Sequence, residues 1–325
     1  MNRKTFHTVI AAMLLSLGLM ASAQDKPPIR LLVGFPPGGA SDSLARLMAE
    51  KLRDQLKQNV IVENRPGVGG RIAAQAIKAA PPNGLMYMIA PNATFTFQHL
   101  TYPVSVLGYD MNTDFTSVAR LTSYPMAMVV NSSIGAKNAK EYIAWLKANP
   151  DKNTFGTAGQ GGDTHFNGLQ FGKLAGIPMQ VVPYRGNGPL LIDMVGGQIL
   201  TGNMLAGDAL QHVKSGKLNY IGVFAPQRSP LMPELPTMAE QGFDTGGGDG
   251  WMGVWGPAKL PIAELERMQT AIKNVLATPE VKEMLISKFL QVSDYRPGSD
   301  VDKALQAELT HWGPIIKASG FTPAP

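Results

Sequence analysis

The chain has 325 residues, with 29 Lys plus Arg against 24 Asp plus Glu, five His and no Cys. This mild positive balance, without a basic run, gives a nucleic acid backbone nothing to follow. The missing cysteines exclude a disulfide framework, and the scattered histidines lack any paired metal-ligand spacing. The fold must therefore rest on hydrophobic cores, which about 300 residues divided between two domains can supply.

Residues 1–23 begin with Arg3 and Lys4, run through an apolar stretch over 9–20 and end in Ala21-Ser22-Ala23. This is the pattern of a secretory signal peptide cleaved before Gln24, and the apolar run is shorter than the ~20 residues of a membrane span. Without the two leader cations the balance is 27 against 24, a net charge of about +3. A soluble exported protein is expected.

In the mature chain, residues 29–33 form a short β-branched run that Pro36-Pro37-Gly38-Gly39 must end. Ser41, Asp42 and Ser43 then offer capping oxygens before apolar positions at Leu44, Leu47, Met48, Leu52 and Leu56, which predicts a helix. Strand, glycine turn and helix start together make a ready anion site, since the first helical amides lack intrahelical partners. A second strand is expected over 59–63. A second glycine turn, over 63–73, leads into an alanine-rich helix ending near residue 80. A third strand, over 85–90, runs into Pro91-Asn92-Ala93-Thr94. The order βαβαβ implies a parallel sheet with ligand-facing loops at the strand ends. The glycines over 63–73 do not match GxGxxG and no GK[ST] occurs, so nucleotide binding has little support.

Residues 101–115 read as irregular, and 119–130 as one strand-like run crossing into a second domain. A helix over 139–148 precedes a repeat of the opening device: a strand ending at Gly156, the loop Thr157-Ala158-Gly159-Gln160-Gly161-Gly162, and a helix capped by Asp163-Thr164. Two helix starts from two domains can then face one anion across a cleft. A strand over 180–182 leads to Tyr184-Arg185-Gly186. A short helix over 190–194, a loop carrying Thr201, Asn203 and Asp208, and a strand over 217–224 follow. Proline- and glycine-rich connectors precede a return strand at 251–255 and three helices over 263–276, 279–289 and 299–319.

Catalytic patterns are missing: no GxSxG, no Ser-x-x-Lys set and no cysteine nucleophile. His165 is read either as a polar ligand contact or general base, or as a helix-start residue bonded to its own loop. Asp42 and Asp163 are each read as helix caps or as partners for an ammonium group. Arg185 is either a carboxylate partner or a solvated rim cation.

Several segments taken together carry a family resemblance. They are Gly34-Phe35-Pro36-Pro37-Gly38-Gly39-Ala40-Ser41-Asp42, Val62-Glu63-Asn64-Arg65-Pro66-Gly67, Val182-Pro183-Tyr184-Arg185-Gly186, Gly196-Gly197-Gln198 and Leu235-Pro236-Thr237-Met238-Ala239-Glu240-Gln241-Gly242. In this order, over essentially the whole mature chain, they resemble the Bug-type solute receptors of tripartite tricarboxylate transporters. The resemblance implies a type II periplasmic binding protein of α/β class, each lobe a mostly parallel sheet flanked by helices. Lobe 1 would comprise 24–125 plus 247–325, and lobe 2 would comprise 126–246.

It further implies that a small organic carboxylate is gripped between the first strand-helix loop and its second-lobe counterpart. By motif these contacts fall at Phe35, Gly39, Ala40, Ser41 and Asp42, and at Thr157, Gly159, Gly162, Asp163, Thr164 and His165. Tyr184 is expected on the wall, and Asn92 and Asn203 complete the candidate set. The implied partners are the ligand (a di- or tricarboxylate, aromatic acid or amino acid) and membrane transporter subunits, with a monomeric chain and no cofactor, metal or nucleic acid. Two departures from the family pattern, Gly159-Gln160-Gly161-Gly162-Asp163 and Ile199-Leu200-Thr201-Gly202-Asn203, fall where ligand identity is set. The alternatives are a ligand-sensing co-receptor for a membrane sensor kinase and an exported hydrolase using His165.

Overall fold

The computed structural model describes residues 26–322, and the leader read over 1–23 lies outside them. No helix among the described residues is long and apolar enough to cross a membrane.

The chain builds two sheets. Strand β1 (Ile29–Val33) lies between β2 (Val60–Asn64) and β3 (Met86–Pro91), parallel to both. The parallel order requires crossovers, which are helices α1 (Ala40–Leu56) and α2 (Arg71–Lys78). In α1, Leu44, Met48, Leu52 and Leu56 recur every four residues and are buried, so one stripe of the helix covers the sheet. Short helices α3 (Thr96–Thr101) and α4 (Val104–Leu107) occupy the stretch read as irregular.

The run expected over 119–130 as one strand is two: β4 (Phe115–Tyr124) and β5 (Met126–Asn131), in different sheets. Pro125 separates them. It has no amide to donate, so pairing with the first sheet ends there and the chain is released toward the second. The second sheet has the order β7-β6-β8-β5-β9, formed by β6 (Thr154–Thr157), β7 (Gln180–Pro183), β8 (Thr201–Leu205) and β9 (Leu218–Val223) with β5. Helices α5 (Ala139–Ala148), α6 (Asp163–Ala175), α7 (Asn187–Val195) and α8 (Ala206–Lys214) connect them.

Return strand β10 (Gly250–Pro257) enters the first sheet between β3 and β4, antiparallel to both. Helices α9 (Ile262–Ala277) and α10 (Pro279–Phe289) follow, then β11 (Val292–Pro297) and α11 (Gly298–Ala318). The first sheet therefore reads β11-β4-β10-β3-β1-β2.

Two corrections to the sequence reading concern the sheets. Both are mixed rather than mostly parallel, because the strands next to the interlobe crossings, β4, β5, β9 and β10, pair antiparallel. The stretch carrying Thr201, Asn203 and Asp208 is not a loop but strand β8 and the start of α8. Thr201 bonds the Tyr142 hydroxyl at 2.7 Å, and Asn203 Nδ2 donates to the Thr164 carbonyl at 3.1 Å while its Oδ1 is buried without a partner among the described residues.

Helix α11 joins the lobes. Glu308 accepts from Asn92 Nδ2 at 3.0 Å, Thr96 Oγ1 at 2.6 Å and Trp251 Nε1 at 2.5 Å, tying α11 to the ends of β3 and β10. Phe97 of the first lobe stacks on Phe166 of the second with centroids 6.1 Å apart, and Trp312 packs on Phe97 at 5.0 Å.

The first binding-type loop is held from behind. A Cβ added at Gly34 would stand 2.5 Å from the Gly70 Cα, so the end of β1 passes against the second glycine turn backbone to backbone. Gly34→Ala must push that turn away, and because the obstacle is main chain it cannot yield by rotamer change. The expected loss is about 1–3 kcal/mol, read as a lower urea midpoint with unchanged m-value.

Candidate functional site

A cavity of about 130 Å³ lies between the two sheets. An engineered cavity of ~150 Å³ holds benzene, so this one suits a solute of comparable size. The first lobe contributes Phe35, Gly39, Ala40 and Ser41 from the turn into α1, with Thr94 and Gln98 from the segment after β3. The second lobe contributes Gly159, Gly162, Asp163 and Thr164 at the start of α6, and Gly186, Asn187 and Gly188 at the start of α7. Asp208 of α8 and Tyr124 of β4 are also on the wall.

Three helices thus begin at the cavity, and each has a glycine N-cap without a side-chain cap: Gly39 for α1, Gly162 for α6 and Gly186 for α7. Helix α5, away from the cavity, is capped by the Asn138 side chain in the ordinary way. The expected caps are displaced inward. Helix α1 starts at Ala40, so Ser41 and Asp42 lie in its first turn; Asp163 likewise opens α6. Acids in a first turn still interact favourably with the helix dipole.

The other sequence candidates lie behind this wall. Asp42 is buried and accepts from the Gly38 amide at 3.0 Å, Arg46 Nε at 2.9 Å and Asn64 Nδ2 at 2.9 Å. Asn64 also donates to the Phe35 carbonyl at 3.1 Å, so Asp42 and Asn64 brace the turn that carries Phe35 to Ser41. Those donors offset the burial that would otherwise raise the Asp42 pKa and hold it below the usual carboxylate value. Asn92 binds Glu308, Thr157 Oγ1 donates to the Gly159 carbonyl, and Tyr184 donates to Asp193 at 2.9 Å. Asn203 lies beneath Thr164 and holds its carbonyl. Arg185 is exposed and off the wall.

His165 is also enclosed. Its Nδ1 accepts from the Gly161 amide at 2.9 Å, which places the proton of the neutral ring on Nε2. The ring stacks on Phe166 at 5.1 Å and meets Phe321 edge-on at 5.1 Å. Burial pushes its pKa down to about 4.

Sequence reasoning missed the third helix start at Gly186–Gly188, and it missed Gln98, Tyr124 and Asp208. Asp208 accepts from Asn187 Nδ2 at 2.6 Å, which joins the start of α8 to the start of α7. Asp163 accepts from the Thr164 amide at 2.7 Å, and it also borders a more open hollow lined by Asp249 and Glu308. Burial raises both Asp163 and Asp208 to about 6.

The architecture can now be set against known proteins. The family model described as the tripartite tricarboxylate transporter family receptor matches residues 44–321. The chain belongs to that family. Among the receptor's relatives is protein BugT of Bordetella pertussis, 28% identical over 98% of this chain and 99% of that protein. A protein encoded in the gbd 5' region of Cupriavidus necator is 30% identical over 85% of each. The periplasmic binding protein BugD superposes with a TM-score of 0.84 at 26% identity, covering 91% of this receptor and 98% of BugD. Rpa4515 of R. palustris, solved with adipate, gives a TM-score of 0.86 at 25% identity over 93% and 100% of the two chains. MatC of Rhodopseudomonas palustris, with bound malate, gives 0.81 at 25% identity over 89% and 98%. The receptor therefore has the fold of a periplasmic solute-binding protein.

The neutral, buried His165 sets a pH response. Its native pKa of about 4 lies below its unfolded value of 6.5, so its stabilising contribution is complete above pH 6.5 and is lost as pH falls toward 4. Asp163 and Asp208, raised instead, act in the opposite sense between about pH 4 and 6 and cancel when two proteins sharing them are compared. His165→Asn keeps an acceptor for Gly161 but does not titrate. Urea unfolding at pH 7 and pH 4 should show the wild type losing roughly 2–3 kcal/mol more than the variant, and equal losses would remove His165 as the cause.

Proposed function

We propose that this receptor captures a small organic carboxylate between its lobes in the periplasm and delivers it to a tripartite tricarboxylate-type membrane transporter. The observation that carries the reading is the convergence of three glycine-capped helix starts, from both lobes, on one cavity of small-molecule size. Amide groups at helix starts are preorganised donors for an anion, and glycine lets a ligand approach them closely. The bound adipate and malate of Rpa4515 and MatC are carboxylates of suitable size. Export follows from the leader pattern over residues 1–23.

The closing units are residues 24–125 with 247–325, and residues 126–246. Closure turns at the two crossings, Pro125 between β4 and β5 and the segment before β10. The receptor acts by binding, without turnover. His165, the one candidate base in the second loop, donates nothing to the cavity: its Nδ1 is committed to Gly161 and its ring lies under Phe321.

Refolded, ligand-stripped protein should be screened by thermal shift against mono-, di- and tricarboxylates, aromatic acids and amino acids. A compound at a hundred times its Kd adds about 2.7 kcal/mol, a rise of several degrees in Tm. At least one class should produce it. A flat response to every carboxylate-bearing compound would refute the proposal.

A further inference from the structure

We propose that the ligand of this receptor is a zwitterion, with a protonated amine beside its carboxylate, and that Asp208 and Asp163 receive the amine while Gln98 receives the carboxylate. This rests on the reading of the cavity as a carboxylate-binding site and specifies what else the ligand must carry.

The charge of the wall comes first. Among the described residues that line the cavity there is no Lys, Arg or His, but there are two carboxylates, Asp163 and Asp208. Neither forms an ion pair with another side chain. Asp163 already sits on a helix start, at the α6 amide of Thr164, and Asp208 holds Asn187 at the start of α7. The second-lobe side of the cavity therefore carries anions of the receptor's own. A plain dicarboxylate entering here would put two further negative charges beside them with no cation to offset any, and unpaired buried charge is costly. An ammonium group removes the conflict, because it brings a cation with three donors to a wall that has none.

The carboxylate has a separate place. Gln98 is 4% exposed and lines the cavity. Arg71, itself buried, donates Nη2 to Gln98 Oε1 at 3.2 Å, and since a guanidinium can only donate, the amide oxygen must face Arg71. Gln98 Nε2 is thereby turned the other way, toward Gly69 on the cavity wall, where it has no hydrogen-bond partner among the described residues. It is a free donor at the cavity surface, polarised by a cation behind it. Arg71 has no carboxylate within ion-pair distance among the described residues, so its charge is free to act through Gln98. The first lobe thus offers a positively backed donor and the second lobe offers two acids. A molecule with one group of each sign satisfies both as the lobes meet.

The test uses stripped full-length protein and matched pairs in titration calorimetry: glutarate with L-glutamate, butanoate with 4-aminobutanoate, and adipate with 6-aminohexanoate. At least one amine-bearing member should bind about 10- to 100-fold tighter than its counterpart, the range for a hydrogen bond to a charged group. Asp208→Asn, confirmed folded by a cooperative thermal transition, should shrink that ratio toward one, and Asp163→Asn should do so independently. Gln98→Leu should weaken both members of a pair alike. If the amine-free acids bind as tightly as their partners or more so, the zwitterion inference is overturned while the carboxylate-receptor reading stands. If a preference for amines survives unchanged in both aspartate variants, the assignment of these acids is overturned. If no member of any pair binds, this inference falls, and the carboxylate reading stands or falls by the thermal-shift screen alone.

Discussion

Backbone amides at a helix start need an acceptor, and the structure of this receptor is arranged around three sets of them that meet at one cavity. Helix α5 meets the requirement locally, through the Asn138 side chain. At the cavity the N-caps are Gly39, Gly162 and Gly186, which have no side chain to offer. At α6 one acceptor is local, Asp163 on the Thr164 amide, and the room left between the lobes lets a ligand supply others.

Much of the remaining architecture keeps those helix heads in place. Asp42 and Asn64 hold the Phe35–Ser41 turn, Gly34 lets β1 press against Gly70, and Asn203 fixes the carbonyl of Thr164 from below. The lobes meet through Phe97 and Phe166 and through α11, whose Glu308 grips three donors near the crossing strands. The chain changes sheet at Pro125, the residue between β4 and β5 that cannot continue a ladder.

The sequence was most legible where chemistry is local. The alternation of short apolar runs with glycine turns exposed β1, β2, β3 and β6, and the two glycine loops pointed to Phe35–Ser41 and Gly159–Thr164. Within those loops Asp42 and Thr157 turn their oxygens back onto the loop itself. Gly186–Gly188 was hidden because Pro189 and the preceding Tyr-Arg-Gly read as loop, although proline is well tolerated in a first helical turn. Strand β11, with Ser293, Asp294 and Arg296, is too polar to show a strand pattern and exists because it pairs with β4. Gln98 and Asp208 had no local signal at all. Their roles come from Arg71, 27 residues from Gln98, and from Asn187, 21 residues from Asp208.

The central claim is that one ligand engages helix heads from both lobes at once. Amide resonances of Ala40, Thr164 and Asn187, followed by nitrogen-15 NMR during titration with whichever carboxylate raises Tm, test it directly. The account predicts that all three shift along one saturation curve, together with the Gln98 side-chain amide. Shifts confined to a single lobe, or titrating with different affinities, would contradict it.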